Sequence, residues 1–221
     1  MYTPIPESLF EVFDRFEKFT VIGHEEPDGD CLSSQLALSS FLSRRGGETA
    51  LVSPGPFTRK EISSLEKEFH YHIPEDFRTE DTLTVVLDCS TVDRIGYLAE
   101  EVGESRIAVI DHHASGSPFG DVRYIDVEAP SVTYMVHSII EAYGDTPTRD
   151  EAHTLLFGLA TDTGFFRHLG EDNAPVLYSA ARLVEAGASP KEVFARMYGG
   201  RPLASRTLLG RLLARTEAHF D

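Results

Sequence analysis

The run Ile107-Ala108-Val109-Ile110 ends abruptly in Asp111-His112-His113, and this junction constrains the fold more than any other feature of the chain. Four apolar residues without alternation suit a strand covered on both faces, as in a parallel α/β sheet. The polar triplet then falls at the strand's carboxyl end, the edge where open α/β sheets bind ligands. An Asp beside two His is donor chemistry for a divalent metal, although a hydrogen-bonded His pair closing a strand would read the same way.

The pattern recurs along the chain. Phe19-Thr20-Val21-Ile22-Gly23 reads as a first strand and runs into His24-Glu25-Glu26-Pro27-Asp28-Gly29-Asp30. Pro27 and Gly29 hold an irregular backbone, so His24, Asp28 and Asp30 can turn inward from one loop. Asp28 or Asp30 also serves as N-cap to a helix through Leu32, Leu36, Leu38, Phe41 and Leu42. Glu48 to Val52 reads as a second strand, and Thr82 to Leu87 as a third that ends in Asp88-Cys89-Ser90. Val122 to Val127 is a further strand. Apolar spacing predicts helices over Glu7 to Phe16, Arg59 to Phe69, Asp93 to Val102, Ser131 to Tyr143 and Arg149 to Ala160. Three more are expected over Ala174 to Ala186, Pro190 to Tyr198 and Arg201 to Phe220. The helix from Arg149 runs into Thr161-Asp162-Thr163-Gly164-Phe165-Phe166-Arg167, where threonine hydroxyls can fix the Asp162 carboxylate and Arg167 is a forked donor suited to phosphate. His70 and His72 alternate with Tyr71 and read as surface or edge residues.

Charge narrows the function classes. With 20 Lys and Arg against 36 Asp and Glu, a formal charge of -16 disfavours a protein that grips duplex nucleic acid through its phosphates. Two cysteines, Cys31 and Cys89, make no disulfide framework. The amino terminus carries no basic region followed by an apolar signal core, and no apolar run reaches the length of a membrane span, so a cytoplasmic location is expected and no membrane partner.

Strands alternating with helices imply a mostly parallel sheet with helices on both faces, its strand ends meeting along one edge. His24, Asp28, Asp30, Asp88, Asp111, His112, His113 and Asp162 fall mostly at such ends. Several carboxylates cannot all stay ionised in one dry pocket without cations. Oxygen and nitrogen donors in that number point to a dimetal site for Mn²⁺, Mg²⁺ or Zn²⁺.

His24-x-x-x-Asp28-x-Asp30, Asp88-x-Ser90, Asp111-His112-His113 and Thr161-Asp162-Thr163-Gly164 resemble, in order, the four motifs of the DHH phosphoesterase superfamily. The local wording is similar to the branch of oligoribonucleases and 3′,5′-bisphosphate nucleotide phosphatases. Ser33 departs from that branch, which usually has Gly before Ser34, and a small change at the helix start is expected. The resemblance implies that His24 and Asp28 hold one metal, that Asp30, His112 and Asp162 hold the other, and that Asp88 bridges them. His113 would face the substrate phosphate with Arg167, and Asp111 would orient a ligating His. Two such ions, Mn²⁺ first and Mg²⁺ as the alternative, would activate a water for attack on phosphorus, and His113 would protonate the leaving oxygen.

The implied substrates are short RNA or DNA oligonucleotides, linear dinucleotides or 3′,5′-bisphosphate nucleotides, hydrolysed to 5′-mononucleotides. Competing readings within the superfamily are an inorganic pyrophosphatase or polyphosphatase and a single-strand exonuclease; a reading from another class is a metal-dependent nucleotide sensor without turnover. Residues 1–187 are expected to form the catalytic domain, and 188–221 a helical linker toward a missing C-terminal substrate-binding domain, as in a truncated chain. The final helix, with Leu208, Leu209, Leu212 and Leu213 uncovered, would fold back on the core or pair with another copy in a homodimer.

Overall fold

The computed structural model describes residues 3–103, 105–200 and 202–217. Its centre is a five-stranded parallel sheet in the order β2-β1-β3-β4-β5, formed by β1 (Lys18–Ile22), β2 (Glu48–Val52), β3 (Thr82–Leu87), β4 (Arg106–Asp111) and β5 (Val122–Ile125). Registers run without a bulge, from Lys18 against Glu48 to Ile22 against Val52, and from Leu83 against Arg106 to Leu87 against Ile110.

Side-chain alternation divides the core between the two faces. Phe19, Val21, Leu83, Val85, Leu87, Ala108 and Ile110 enter the larger cluster. There they meet helices α1 (Glu7–Arg15), α2 (Gly29–Arg44), α4 (Val132–Ala142) and α5 (Arg149–Asp162). Ile22, Val86 and Val109 point the other way, into a thinner layer with Ile73, Ile95 and helix α3 (Leu98–Val102). Every residue of β3 is buried, which accounts for a strand sequence with no charged residue. Helices α6 (Ala174–Glu185) and α7 (Pro190–Tyr198) add to the thick layer. Val193 of α7 is fully buried, and the Arg196 guanidinium stacks 3.9 Å from the Phe157 ring centroid. α7 is thus packed on the sheet-covering layer through Val193 and Arg196.

Three expectations are corrected. Arg59 to Phe69 is not an α-helix: only Ser63–Glu68 winds, as a 3₁₀ segment. The buried Ile62 and the partly buried Leu65 lie three apart, which suits the tighter turn. Asp93 to Val102 breaks into a 3₁₀ turn at Val92–Ile95 and the short α3, because Gly96 adopts φ +60 and a Cβ there would strike the Glu25 carboxylate. The last helix, α8 (Leu203–Leu213), does not fold back on the core: none of its residues is buried, and Leu208, Leu209, Leu212 and Leu213 stay exposed. The expected ends of that helix, Arg201 and Phe220, lie outside the described residues. No helix among the described residues is long and apolar enough to cross a membrane.

Candidate metal centre

From β1 the chain crosses to β2 on one side, whereas β3 leads to β4 and β5 on the other. The loops after the neighbouring strands β1 and β3 therefore part, and parallel sheets bind ligands in that crevice. His24 leaves β1 and Asp88 leaves β3 at this point, with His24 Nε2 3.4 Å from Asp88 Oδ2. Asp88 adopts φ +60, an uncommon conformation for a residue with a Cβ.

The buried Asp88 carboxylate is the centre of the cluster. One oxygen faces His24, and the other lies 3.6 Å from both His112 Nε2 and His113 Nδ1. Asp162, at the end of α5, approaches His112 Nε2 at 3.4 Å. These contacts line a cleft of about 290 Å³, together with Asp28, Glu25, Glu26, Arg59 and Arg94.

Backbone carbonyls fix two of the imidazoles. His24 Nδ1 donates to the Glu25 carbonyl (2.6 Å) and His112 Nδ1 to the Ala129 carbonyl (3.1 Å); a carbonyl only accepts, so the proton is on Nδ1. The Nε2 lone pairs are left facing carboxylate oxygens, an arrangement that repels unless a cation or a proton lies between them. Asp88 Oδ1 is buried and has no hydrogen-bond partner among the described residues. An orphaned carboxylate oxygen among imidazole lone pairs fits a divalent cation. Among the described residues, three donor groups have their atoms within 4.8 Å of one another: His24, Cys31 and Asp88; Asp88, His112 and His113; Asp30, His112 and Asp162.

Electrostatics divide the acids. Burial raises Asp30 to about 8, helped by the Asp88 charge, and raises Asp162 to about 8, helped by Asp30. Burial also pulls Asp88 upward, but hydrogen bonding and charge from His24, and then His112 and His113, outweigh it and hold Asp88 below the usual carboxylate range. Burial works against a charged His24, yet Asp88 raises its pKa overall. Asp30, Asp162 and His24 thus hold protons more tightly than usual, where a cation would relieve the same repulsion.

His113 is held differently. Its Nδ1 donates to Asp111 Oδ1 at 2.7 Å, and that bond, opposed by partial burial, raises its pKa to about 8. Asp111 Oδ1 also accepts from the His112 backbone N–H, at 2.9 Å. Asp111 was expected to orient the ligating histidine; it orients the His113 ring, and the Ala129 carbonyl does so for His112.

Four more positions differ in detail from expectation. Asp28 caps α2 through the Cys31 N–H (3.0 Å) and lies 3.6 Å from Arg59; it lines the cleft without entering a donor group, and Cys31 stands with His24 instead. The only sequence signal for Cys31 was its place after Asp30, and burial holds its thiol pKa well above the ordinary value. The Thr161 and Thr163 hydroxyls donate to the carbonyls of Gly158 and Leu159, not to Asp162. Arg167 is exposed beside His168 and does not line the cleft; Arg59 and Arg94, which the sequence reading passed over, do. Ser33 is buried against Gly158, where a Cβ would come within 2.8 Å of the serine Cβ, so the glycine makes room for the departure at the helix start. His70 and His72 are exposed, as expected.

A Thermus thermophilus protein described as bifunctional oligoribonuclease and PAP phosphatase NrnA is 30% identical over 200 residues, covering 89% of this chain and 58% of the relative. The Bacillus subtilis protein of the same description is 25% identical over 195 residues, covering 86% of this chain and 60% of the relative. The chain thus spans less than two thirds of the length of the curated relatives it matches. Among solved structures, an exopolyphosphatase-related protein from Bacteroides fragilis shares the fold, with a TM-score of 0.84 at 20% identity over 96% of this chain and 65% of that one. The model of the DHH family, N-terminal domain, matches residues 18–159, which include every candidate donor except Asp162. The chain belongs to the DHH family.

Proposed function

We propose that the chain is the catalytic part of a dimetal-dependent phosphoesterase that hydrolyses short oligonucleotides, linear dinucleotides or 3′,5′-bisphosphate nucleotides to 5′-mononucleotides. The observation that carries this reading is the Asp88 carboxylate, buried and lacking a hydrogen-bond partner at Oδ1 among the described residues, with an imidazole lone pair aimed at each oxygen. Asp88 and His24 would hold one cation, with Cys31 or Asp28 beside them, and Asp30, His112 and Asp162 the other. Bound divalent ions would supply Lewis acidity and lower the pKa of the attacking water. Mn²⁺ is the first candidate and Mg²⁺ the alternative, because the donors are mainly carboxylates and imidazoles.

His113 is kept protonated near neutral pH by Asp111, so its Nε2–H can donate to the leaving oxygen. Arg59 and Arg94 carry the positive charge of the cleft, where they would neutralise the phosphate oxygens. Two arginines at the rim also favour a second reading, an inorganic pyrophosphatase, since that substrate brings more charge.

One experiment separates the two. Products are followed for 3′,5′-bisphosphorylated adenosine, a linear dinucleotide, pyrophosphate and longer RNA, each with Mn²⁺ and with Mg²⁺. Release of 5′-mononucleotide from the first two supports the proposal. Turnover of pyrophosphate alone supports the second reading, and metal-dependent binding of nucleotide without turnover would refute both.

A further inference from the structure

A larger cavity, of about 640 Å³, lies on the far side of His113, which lines it as well as the metal cleft. Its origin is topological. Parallel neighbours are ordinarily joined through a covering helix, but β4 ends at Asp111 and β5 begins at Val122 with no helix between them. The thinner face of the sheet is therefore left open here, and Val109 and Ile125 become a cavity floor. The connecting loop forms the wall. At Gly116 it adopts φ +133, and a Cβ would fall 2.1 Å from the Ser90 carbonyl oxygen, so the loop is pressed against the segment that follows Asp88.

The lining has two characters. Phe119 and Val127 extend the apolar floor, while Ser115, Ser117, Arg123 and the acids Asp111 and Asp121 supply the polar lining. Arg123 has no ion-pair partner among the described residues, in a chain of formal charge -16. An apolar surface with a few convergent polar groups is the usual makeup of a small-molecule site, and this volume lies within the roughly 300–1,000 Å³ such sites occupy.

We infer that this cavity is a nucleoside subsite. It receives the nucleoside whose phosphate lies in the metal cleft, with the base on Phe119 and Val127 and the sugar hydroxyls at Ser115, Ser117 and the Arg123 guanidinium. The inference rests on the phosphoesterase reading above and adds to it the place where the nucleoside is held.

Calorimetric titration of the whole chain in Mn²⁺, with AMP and with inorganic phosphate, tests it. AMP binds the native chain more tightly than phosphate does. The ratio of the two affinities falls roughly tenfold or more in Arg123→Ala, the scale of one charge-assisted hydrogen bond, and recovers largely in Arg123→Lys. Ser117→Trp, at an exposed loop position, lowers the ratio by filling the cavity without touching the core. Equal affinity for AMP and phosphate in the native chain, or an unchanged ratio in both Arg123→Ala and Ser117→Trp, overturns the assignment. Loss of the ratio in a chain without phosphoesterase activity keeps the subsite and overturns the reading above. Turnover of dinucleotides with the ratio unmoved by the variants does the reverse.

Discussion

Asp88→Asn should abolish the stabilisation that divalent metal confers on the fold, and Asp162→Asn should remove only part of it. Asp88 offers one oxygen to His24 and the other to His112, whereas Asp162 approaches His112 alone. A ligand at a hundredfold over its dissociation constant stabilises the native state by ~2.7 kcal/mol per site, so two independent sites give roughly 5 kcal/mol. In a chain of this size that is a rise of roughly 10–20 °C in Tm. Asp162→Asn should keep about half of the rise and Asp88→Asn close to none of it. The metal-free baselines differ too. Asp162 is raised to about 8 and is mostly protonated at neutral pH, so Asn is nearly isosteric and the baseline should not fall. Asp88 is held low by its histidines, and losing its charge there should cost about 1–3 kcal/mol. Scanning calorimetry on chelator-treated protein, titrated with Mn²⁺ and Mg²⁺, measures both quantities. A metal-dependent rise in Asp88→Asn equal to the native one would refute the shared-carboxylate reasoning.

Three further predictions follow from other side chains. His113→Ala should keep the metal-dependent rise in Tm while kcat on a dinucleotide falls by about 10²–10⁴; loss of the metal response together with activity would make His113 a ligand. Arg59→Ala and Arg94→Ala should each weaken substrate binding, seen as a higher KM, while Arg167→Ala leaves KM near native, because only the first two line the cleft; a KM effect confined to Arg167 would contradict this. The third concerns stability and lies away from the centre. Burial lowers the pKa of His137 from 6.5 to about 4 between Ser179 and Glu141. The unfolded chain takes up that proton first, so the contribution is present above pH 6.5 and is lost as the pH falls toward 4, a span worth about 3 kcal/mol. Urea unfolding of metal-free protein across that window should show a shallower decline for His137→Gln than for the native chain, and parallel slopes would count against it.

Much of this architecture was legible because β-branched runs and their polar ends are local signals. Thr82-Leu83-Thr84-Val85-Val86-Leu87 is rich in β-branched residues and carries no charge, which marks it as a strand, and the acid after it then falls at the strand's carboxyl end. Order along the chain then brings His24 and Asp88 to the crevice between neighbouring strands. What stayed hidden depends on contacts between distant segments. Arg59 comes from a bend and Arg94 from the 3₁₀ turn at Val92–Ile95, neither long enough to carry a periodic signal, and only the packing of these segments brings them to the cleft. The threonines around Asp162 bond to their own helix because a hydroxyl at the end of a helix finds a carbonyl three or four residues back before it finds a carboxylate. The partner of His112 could not be read either, since the carbonyl that fixes it belongs to Ala129, in a loop seventeen residues away.

Asp30 shows why site and fold cannot be separated in this chain. It sits in the first turn of α2, fully buried, and its two oxygens accept from the backbone N–H groups of Val132 and Thr133 and from the Thr133 hydroxyl, at 2.6–2.9 Å. Those N–H groups belong to the first turn of α4, where a helix has no internal acceptors and carries its positive dipole end. A carboxylate there caps a second helix across more than a hundred residues of sequence and fixes how α2 and α4 meet. The same carboxylate lies within reach of His112 and Asp162. Three donors leave part of the carboxyl group's lone-pair capacity unused, so a cation at this position would replace a proton on a group already anchored rather than order a mobile one. The helix contact and the donor cluster are consequently one set of interactions: a chain that packs α2 against α4 correctly has already oriented half of its candidate metal centre.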